Sequence, residues 1–563
     1  MKMRSLPIAC LLMLVLFAVS CSKKSDVPVP ADAAMVIHID GASLNSKLSW
    51  EEIQQSEWYR LANEKATDSL AKKVLSDPAA SGVDIKSDIY VFVKKSGNNG
   101  YLAVVGNVKD EKAFSTFMSK TMEVAGPAKE GELSVIRKPN NVLTWKGNRF
   151  VLVASNPAMR MDSPLSGMED RPSAQPGLTP DSLVKFANEV YALKGENSVG
   201  TDKRFTEMIK RKGDVHFWLN GGNLYSGALP AAMALTKAEL LFKGNISAAT
   251  LNFDNGKISI DAKSYYNKEL AALYKKYSMK NLDESMFKMI PSQNVAAVFA
   301  MNYPPEGLKE FVTLLGLDGL INMFLNKEGF SLDEFIRANK GEVMISVSDF
   351  GVTNTLPYST DTTMPPGMRM GMQRPTAKIL FATSVNDKAA FQKMMDILKN
   401  TLLKEGGAGA GAMASKIPYQ LKDNWFIAGS DSASVFSFGT TSTEQPFVAK
   451  FKGHPIAGFV DIQKFITGAK PMMDSTGLII ADESLKTWQD IVFYGGEFKN
   501  DATETHMEIS LVDKNANSLK QLNNYLGVVA RVMDAHEKQK KLEMGPYSTP
   551  DSVVVPLPAP KTH

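Results

Sequence analysis

Apolar and polar residues alternate along several stretches of this chain, the pattern of a half-buried strand. Ile89–Val93 reads this way, with Val343–Val347 as its later match, and Val36-Ile37-His38-Ile39-Asp40 and Val298-Phe299-Ala300-Met301-Asn302 read as opening strands. Elsewhere the apolar spacing changes to that of a helix. Val108-Lys109-Asp110 leads a segment containing Ala113-Phe114, and Val385-Asn386-Asp387 leads one containing Ala390-Phe391. In both, the aspartate is placed to cap a helix N-terminus and the phenylalanine four residues on faces the core. Turn sequences such as Asn98-Asn99-Gly100 and Asp254-Asn255-Gly256 predict antiparallel hairpins.

These elements recur in the same order. The capped helices are offset by 387 − 110 = 277, and the turns Gly147-Asn148 and Asp423-Asn424 by 424 − 148 = 276. Leu219-Asn220 then matches Val460-Asp461, and Phe253-Asp254-Asn255-Gly256 matches Phe498-Lys499-Asn500-Asp501. Extra segments near 351–375 and 157–212 account for the changes of offset. Each copy closes with a helix, near Lys268–Tyr277 and Ser518–Glu537. A period this long means two copies of a whole domain, not a solenoid. The expected fold is α+β in two homologous halves, each an antiparallel sheet with helices packed on one face. Residues 31–285 form the first repeat and 286–537 the second. Residues 538–563 form a tail rich in proline, among them Pro546, Pro556 and Pro560, either inert or a strip for a partner. A seam between two halves is a favoured place for a ligand.

A length of 563 residues exceeds what one core organises. Of the 64 basic residues, Lys2 and Arg4 lie in a leader without acids, so the rest balances at 62 − 60 = +2. That near-neutrality, with no basic stripe, argues against a nucleic-acid partner.

Residues 1–20 set two cations before an apolar run from Leu6 to Val19 and read as a secretory signal peptide. That run is too short to span a bilayer. Ala18-Val19-Ser20-Cys21 resembles a bacterial lipobox, in which Cys21 receives lipid; the competing reading is a signal cut elsewhere. The only other cysteine, Cys10, leaves with the signal, so disulfides, zinc–thiolate sites and cysteine nucleophiles are excluded together. Residues 21–30 are a short lipidated tether, and two or more acyl chains anchor stably where one is marginal.

The opening VPADAAMVIHIDGASL, the stretch SGVDIKSDIYVFV and the strand–helix VVGNVKDEKAFSTFM resemble an uncharacterised family of Bacteroidetes lipoproteins, domain of unknown function 4836. The segment Gly329–Val347 is similar to a second uncharacterised envelope family, domain of unknown function 3352. Neither resemblance implies an activity. The first implies an envelope address, and the basic Lys23-Lys24 after Cys21, where surface-displayed members carry acids, points to the periplasmic side of the outer membrane.

Motifs for chemistry are sparse. Six histidines, His38, His216, His454, His506, His536 and His563, include no HExxH and no metal-ligand spacing. Structural or exposed roles suit His38 and His506. GxSxG is absent, and Ser69–Lys72, Ser182–Lys185 and Ser285–Lys288 are Ser-x-x-Lys matches without the partner motifs. Gly407, Gly409 and Gly411 belong to a low-complexity linker, not a phosphate loop. No cofactor is expected. Met364, Met368, Met370 and Met372 form a loop whose thioethers suit Cu(I), or a flexible loop that absorbs oxidant. The apolar stretches Leu308–Leu325 and Leu229–Phe242 are core helices, or the lining of a groove for acyl chains or a partner's hydrophobic segment. Thr362 and Ser552 stand in Asp-Ser/Thr-apolar triplets that resemble an O-glycosylation acceptor.

The expected function is a non-enzymatic binding or scaffolding module of the cell envelope. A carrier or sensor of a hydrophobic ligand is the alternative, and an enzyme with an unrecognised site a third. Labelling with palmitate is expected to mark the protein and to leave a Cys21→Ser form unmarked and released from membranes; an unmarked wild type ends the anchor reading.

Overall fold

The computed structural model describes residues 27–66, 69–96, 99–155, 178–225, 236–354, 373–405, 417–440 and 444–544. In the first part the strands are β1 (Met35–Ile39), β2 (Ile89–Ser96), β3 (Asn99–Asn107), β4 (Ala128–Glu130), β5 (Leu133–Lys138), β6 (Asn141–Lys146), β7 (Arg149–Ser155), β8 (Val215–Asn220), β9 (Ile246–Asp254) and β10 (Lys257–Tyr265). Then come β11 (Val295–Asn302), β12 (Asn339–Asn354), β13 (Gln373–Val385), β14 (Tyr419–Lys422), β15 (Trp425–Gly429), β16 (Ile456–Asp461), β17 (Trp488–Lys499) and β18 (Ala502–Leu511). The fold is α+β, with these strands in one antiparallel sheet and helices packed against it.

The pairings place β10 beside β18 at the middle of the sheet. Outward from there one direction runs β9, β8, β1, β2, β3, β7, β6. The other runs β17, β16, β11, β12, β13, β15, β14. Both runs visit their strands in corresponding order, and β5 and β4 extend the first one further. At the junction Asp261 faces His506. Each lies six residues past the asparagine of its hairpin turn, Asn255 and Asn500 (261 − 255 and 506 − 500).

The capped helices form as their sequences require. Asp110 accepts from the Ala113 N–H at the head of helix Glu111–Thr121, and Asp387 accepts from the Ala390 N–H at the head of helix Lys388–Glu405. Phe114 and Phe391 are both buried. Turn residues hold the left-handed conformation that tight hairpins need, at Gly256 (φ 66°) and at Asp501 (φ 58°).

The expected helical layer is present, and the first run of strands carries a second one. Over one face, Leu183 and Ala187 of helix Pro180–Tyr191 and Phe205 of helix Lys203–Lys210 pack on Val36, Phe92, Val135 and Trp218. Over the other, Phe114 and Phe117 pack on Ile89, Val91, Leu143, Trp145 and Phe150. The alternation expected of Ile89–Val93 does not hold: Ile-Tyr-Val-Phe-Val is continuously apolar and therefore needs cover on both sides. In the second run, Phe287, Phe438 and Phe451 close one face over Val298, Met344, Ala382 and Val492.

Helices also cross the junction. After β18, helix Ser518–Met544 returns to the first part, where Asn523 accepts from Trp58 Nε1 at 2.8 Å and Asp534 pairs with Lys65 at 2.8 Å. After β10, helix Lys268–Lys276 meets helix Pro305–Leu314 of the second part through Lys276 and Tyr277 on Glu310, at 3.3 and 3.2 Å. Two expected boundaries move. The last helix continues to Met544, past Glu537. The tether is already docked by residue 27: Val29 is buried, and Ser198 Oγ donates to the Val27 carbonyl at 2.7 Å.

Phe114 sits at 0% exposure between Trp145 and Phe150, with ring centroids 5.3 Å from each. Phe114→Ala is expected to lower unfolding free energy by about 3–5 kcal/mol, read from the denaturant midpoint.

Candidate functional site

Strand register fixes which side chains share a face. On the face that carries Phe114, one row runs straight across the sheet. From the second run it passes through Phe381, Ile345, Phe299, Gly458 and Phe493 to Met507. It crosses the junction to Ile260 and continues through Leu251 and Val215 to Ile39. Every position is apolar. The first-run end lies under its helices, but the second-run part lies open, with Phe299 37%, Ile345 42% and the neighbouring Ile379 49% exposed. Gly458 keeps the floor shallow, because a Cβ there would lie 2.3 Å from the Phe493 ring. Helices flank the opening: Leu519 of helix Ser518–Met544 packs near Phe253, and Phe391 of helix Lys388–Glu405 stands 5.1 Å from the Phe426 ring. Since the sheet's own ladder occupies the backbone groups along this row, only hydrocarbon contact is on offer.

The opposite face is polar at the junction. A cavity of about 610 Å³ lies there, with Lys257 and Glu508 on its floor and Lys450 and Phe447 on its wall. Glu508 accepts from Lys257 at 2.7 Å and from Lys450 at 2.8 Å. Partial burial works against its charge, but hydrogen bonds from the two lysines outweigh it and hold the carboxyl down at about 2. Asp490 Oδ1 is buried without a hydrogen-bond partner among the described residues. A smaller hollow of about 240 Å³ adjoins the junction. His506 Nδ1 lies 2.8 Å from Asp261 Oδ1 there, His454 pairs with Glu497, and the His454 ring stacks on Tyr494 at 4.4 Å. Glu508, His506 and His454 are thus each tied to a charged neighbour.

Within the first run two buried polar groups were invisible to sequence spacing. Asp214, at 0% exposure, accepts from Lys47 Nζ, Ser43 Oγ and the Phe253 N–H, each at 2.6 Å. His38 and His216, 178 residues apart, face each other with their Nδ1 atoms 3.0 Å apart. Burial and the neighbouring His38 push His216 below the ordinary imidazole range. His38, expected in a structural or exposed role, is therefore buried against a second histidine.

Of the sequence candidates, Cys21, Thr362, Met364, Met368, Met370, Met372 and Ser552 lie outside the described residues. The stretch Leu308–Leu325 divides: Val312 and Leu315 are buried, whereas Leu320, Met323 and Phe324 are exposed. Residues 229–235 of the other apolar stretch lie outside the described residues, and Ala238 beyond them is buried. Among the described residues no helix is long and apolar enough to cross a membrane, and no group of three or more His, Cys, Asp or Glu could hold a metal ion.

The architecture defines an α+β protein built on a broad antiparallel sheet with one partly open apolar face. Residues 26–170, which span β1–β7, match the family model described as a domain of unknown function, DUF4836. No curated protein matches. Among solved structures, crystal form I of TP0453 is 8% identical with a TM-score of 0.25, covering 46% of this chain and 90% of that one. Crystal form III of TP0453 is 10% identical with the same coverages and TM-score. Overlap this slight carries neither fold nor function.

Because Glu508 is held below its ordinary value, its contribution to stability is complete above about pH 4.5 and is lost as pH falls toward about 2. Glu508→Gln is expected to lower the melting temperature at neutral pH and to flatten its fall through that window, as read by circular dichroism.

Proposed function

We propose that this chain is a non-enzymatic, lipid-anchored binding module of the cell envelope that holds a hydrophobic ligand on the open face of its sheet. The observation that carries this reading is the apolar row from Phe381 to Leu251, half-exposed at Phe299 and Ile345. Monomeric soluble proteins rarely leave large contiguous apolar patches in water, and those that persist mark binding surfaces. The row offers no hydrogen-bonding group, so the ligand it suits is a hydrocarbon chain and not an extended peptide or a nucleic acid.

Supporting a binder over an enzyme, the charged groups at the junction satisfy each other: Glu508 with Lys257 and Lys450, His506 with Asp261, His454 with Glu497. Supporting the envelope address are the leader, Cys21 and the basic Lys23-Lys24. They favour the outer membrane's periplasmic face. The corresponding strand orders on either side of the β10–β18 pairing support descent of both runs from one duplicated domain.

Protein purified from native membranes is expected to release non-covalent lipid to organic solvent, seen by mass spectrometry. Ile345→Asp places a charge in the open part of the row on a half-exposed side chain, so folding survives while bound lipid falls by roughly tenfold or more. A lipid-free wild type, or a co-purifying protein in place of lipid, overturns this reading.

A further inference from the structure

Strands β1 and β8 present side chains to both faces of the sheet. Toward the apolar face they carry Ile37, Ile39, Val215 and Phe217; toward the other, His38 and His216. The two imidazoles are opposed across the β1–β8 pair and are 4% and 2% exposed. The second run shows what packing alone requires there. Val298-Phe299-Ala300 stands in the place of Val36-Ile37-His38, and Ala300 is paired across β16 with Ala457, both fully buried. Two alanines complete the core, so the histidines of the first run are not explained by packing.

Their partners assign the hydrogens. His216 Nε2 lies 3.0 Å from the Arg211 carbonyl oxygen, which only accepts, so this nitrogen carries a hydrogen. His216 Nδ1 is then the lone pair that accepts from His38 Nδ1–H, across 3.0 Å. The free lone pair of the couple is His38 Nε2, 3.4 Å from Asp88 Oδ1. It is the one position of the couple open to a first proton, opposite a carboxylate. A second has only His216 Nδ1, where it would face the His38 N–H and turn a hydrogen bond into repulsion between two buried cations.

Asp40 and Asp214 favour a charged His216, but burial and the neighbouring His38 outweigh them. Asp40 caps helix Gly41–Lys47, and Asp214 is bound to Lys47 at 2.6 Å. From β2, the Tyr90 ring lies 4.8 Å from His38, and burial, with Asp88 beside it, pushes its hydroxyl up. From β9, Thr250 is the register partner of His216.

We propose that the His38–His216 pair is a proton-operated latch: acid loads it with two protons, β1 parts from β8, and the apolar row, broken where it runs through Val215 and Ile39, releases its hydrophobic ligand. This rests on the hydrophobic-ligand reading above.

The test uses N-phenyl-1-naphthylamine, a fluorescent apolar probe that stays uncharged from about pH 5 to about pH 8, so that only the protein titrates. Wild-type affinity is expected to fall roughly fivefold or more between about pH 7.5 and about pH 5. For His216→Gln the change is expected to stay within about twofold. Binding that ignores pH in the wild type, or a variant that loses the probe as the wild type does, overturns the latch and leaves the ligand reading standing. Absence of probe binding at about pH 7.5 overturns both. If His216→Gln does not fold, imidazole nitrogen NMR of the wild type decides. Protonation of His216 Nδ1 is expected to track probe release, and a His216 that stays neutral while the probe leaves overturns the latch.

Discussion

The backbone pairing of β10 with β18 holds the rest of the architecture in place. Residues 257–265 lie in antiparallel register against 502–510. Without this ladder each strand would present a row of unpaired N–H and C=O groups, an invitation to aggregate. Joined, they make one continuous sheet. The apolar row crosses the chain's two parts only because these strands are neighbours, and the polar cavity exists only because side chains from both parts meet above them. The crossing helices reinforce the join, since each sits on the part of the chain that did not supply its preceding strand.

Side chains at the junction protect that register. Lys257 with Glu508, Lys263 with Glu504 and Asp261 with His506 all join β10 to β18. A slip of one residue would send these charges to the apolar face and Ile258, Ile260, Met507 and Ile509 to the polar one. The exposed pairs Lys263–Glu504 and Asp261–His506 are therefore better understood as selectors of register than as stabilisers, for such pairs contribute little net free energy, whereas Glu508, held by two lysines, does both. The two faces can then specialise: one is closed by ionic contacts at its centre, the other stays apolar and partly open.

The two runs of strands share an order but not their interiors. The first buries Asp214 with three donors and sets two histidines against each other; the second fills the corresponding histidine places with Ala300 and Ala457. Buried polar groups are tolerated where their partners are complete, and His38 Nε2, facing Asp88 at 3.4 Å without a hydrogen bond among the described residues, is the exception in this pair.

The sequence by itself determined what depends on neighbours along the chain: the alternating strands, the aspartate caps at Asp110 and Asp387, the hairpin turns at Asn255 and Asn500, and the order of elements. It also pointed to the family that residues 26–170 match. Tertiary structure alone decided which apolar faces receive helices and which remain open. Phe299 and Val298 are equally apolar in the sequence, yet Val298 is buried under Phe287 and its neighbours while Phe299 stays partly in water. It alone brought His38 to His216 and Asp261 to His506, across 178 and 245 residues. Period and capping are set by residues a turn apart, whereas coverage and long-range pairing are set by how strands order themselves across a sheet, and sequence spacing carries no measure of that distance.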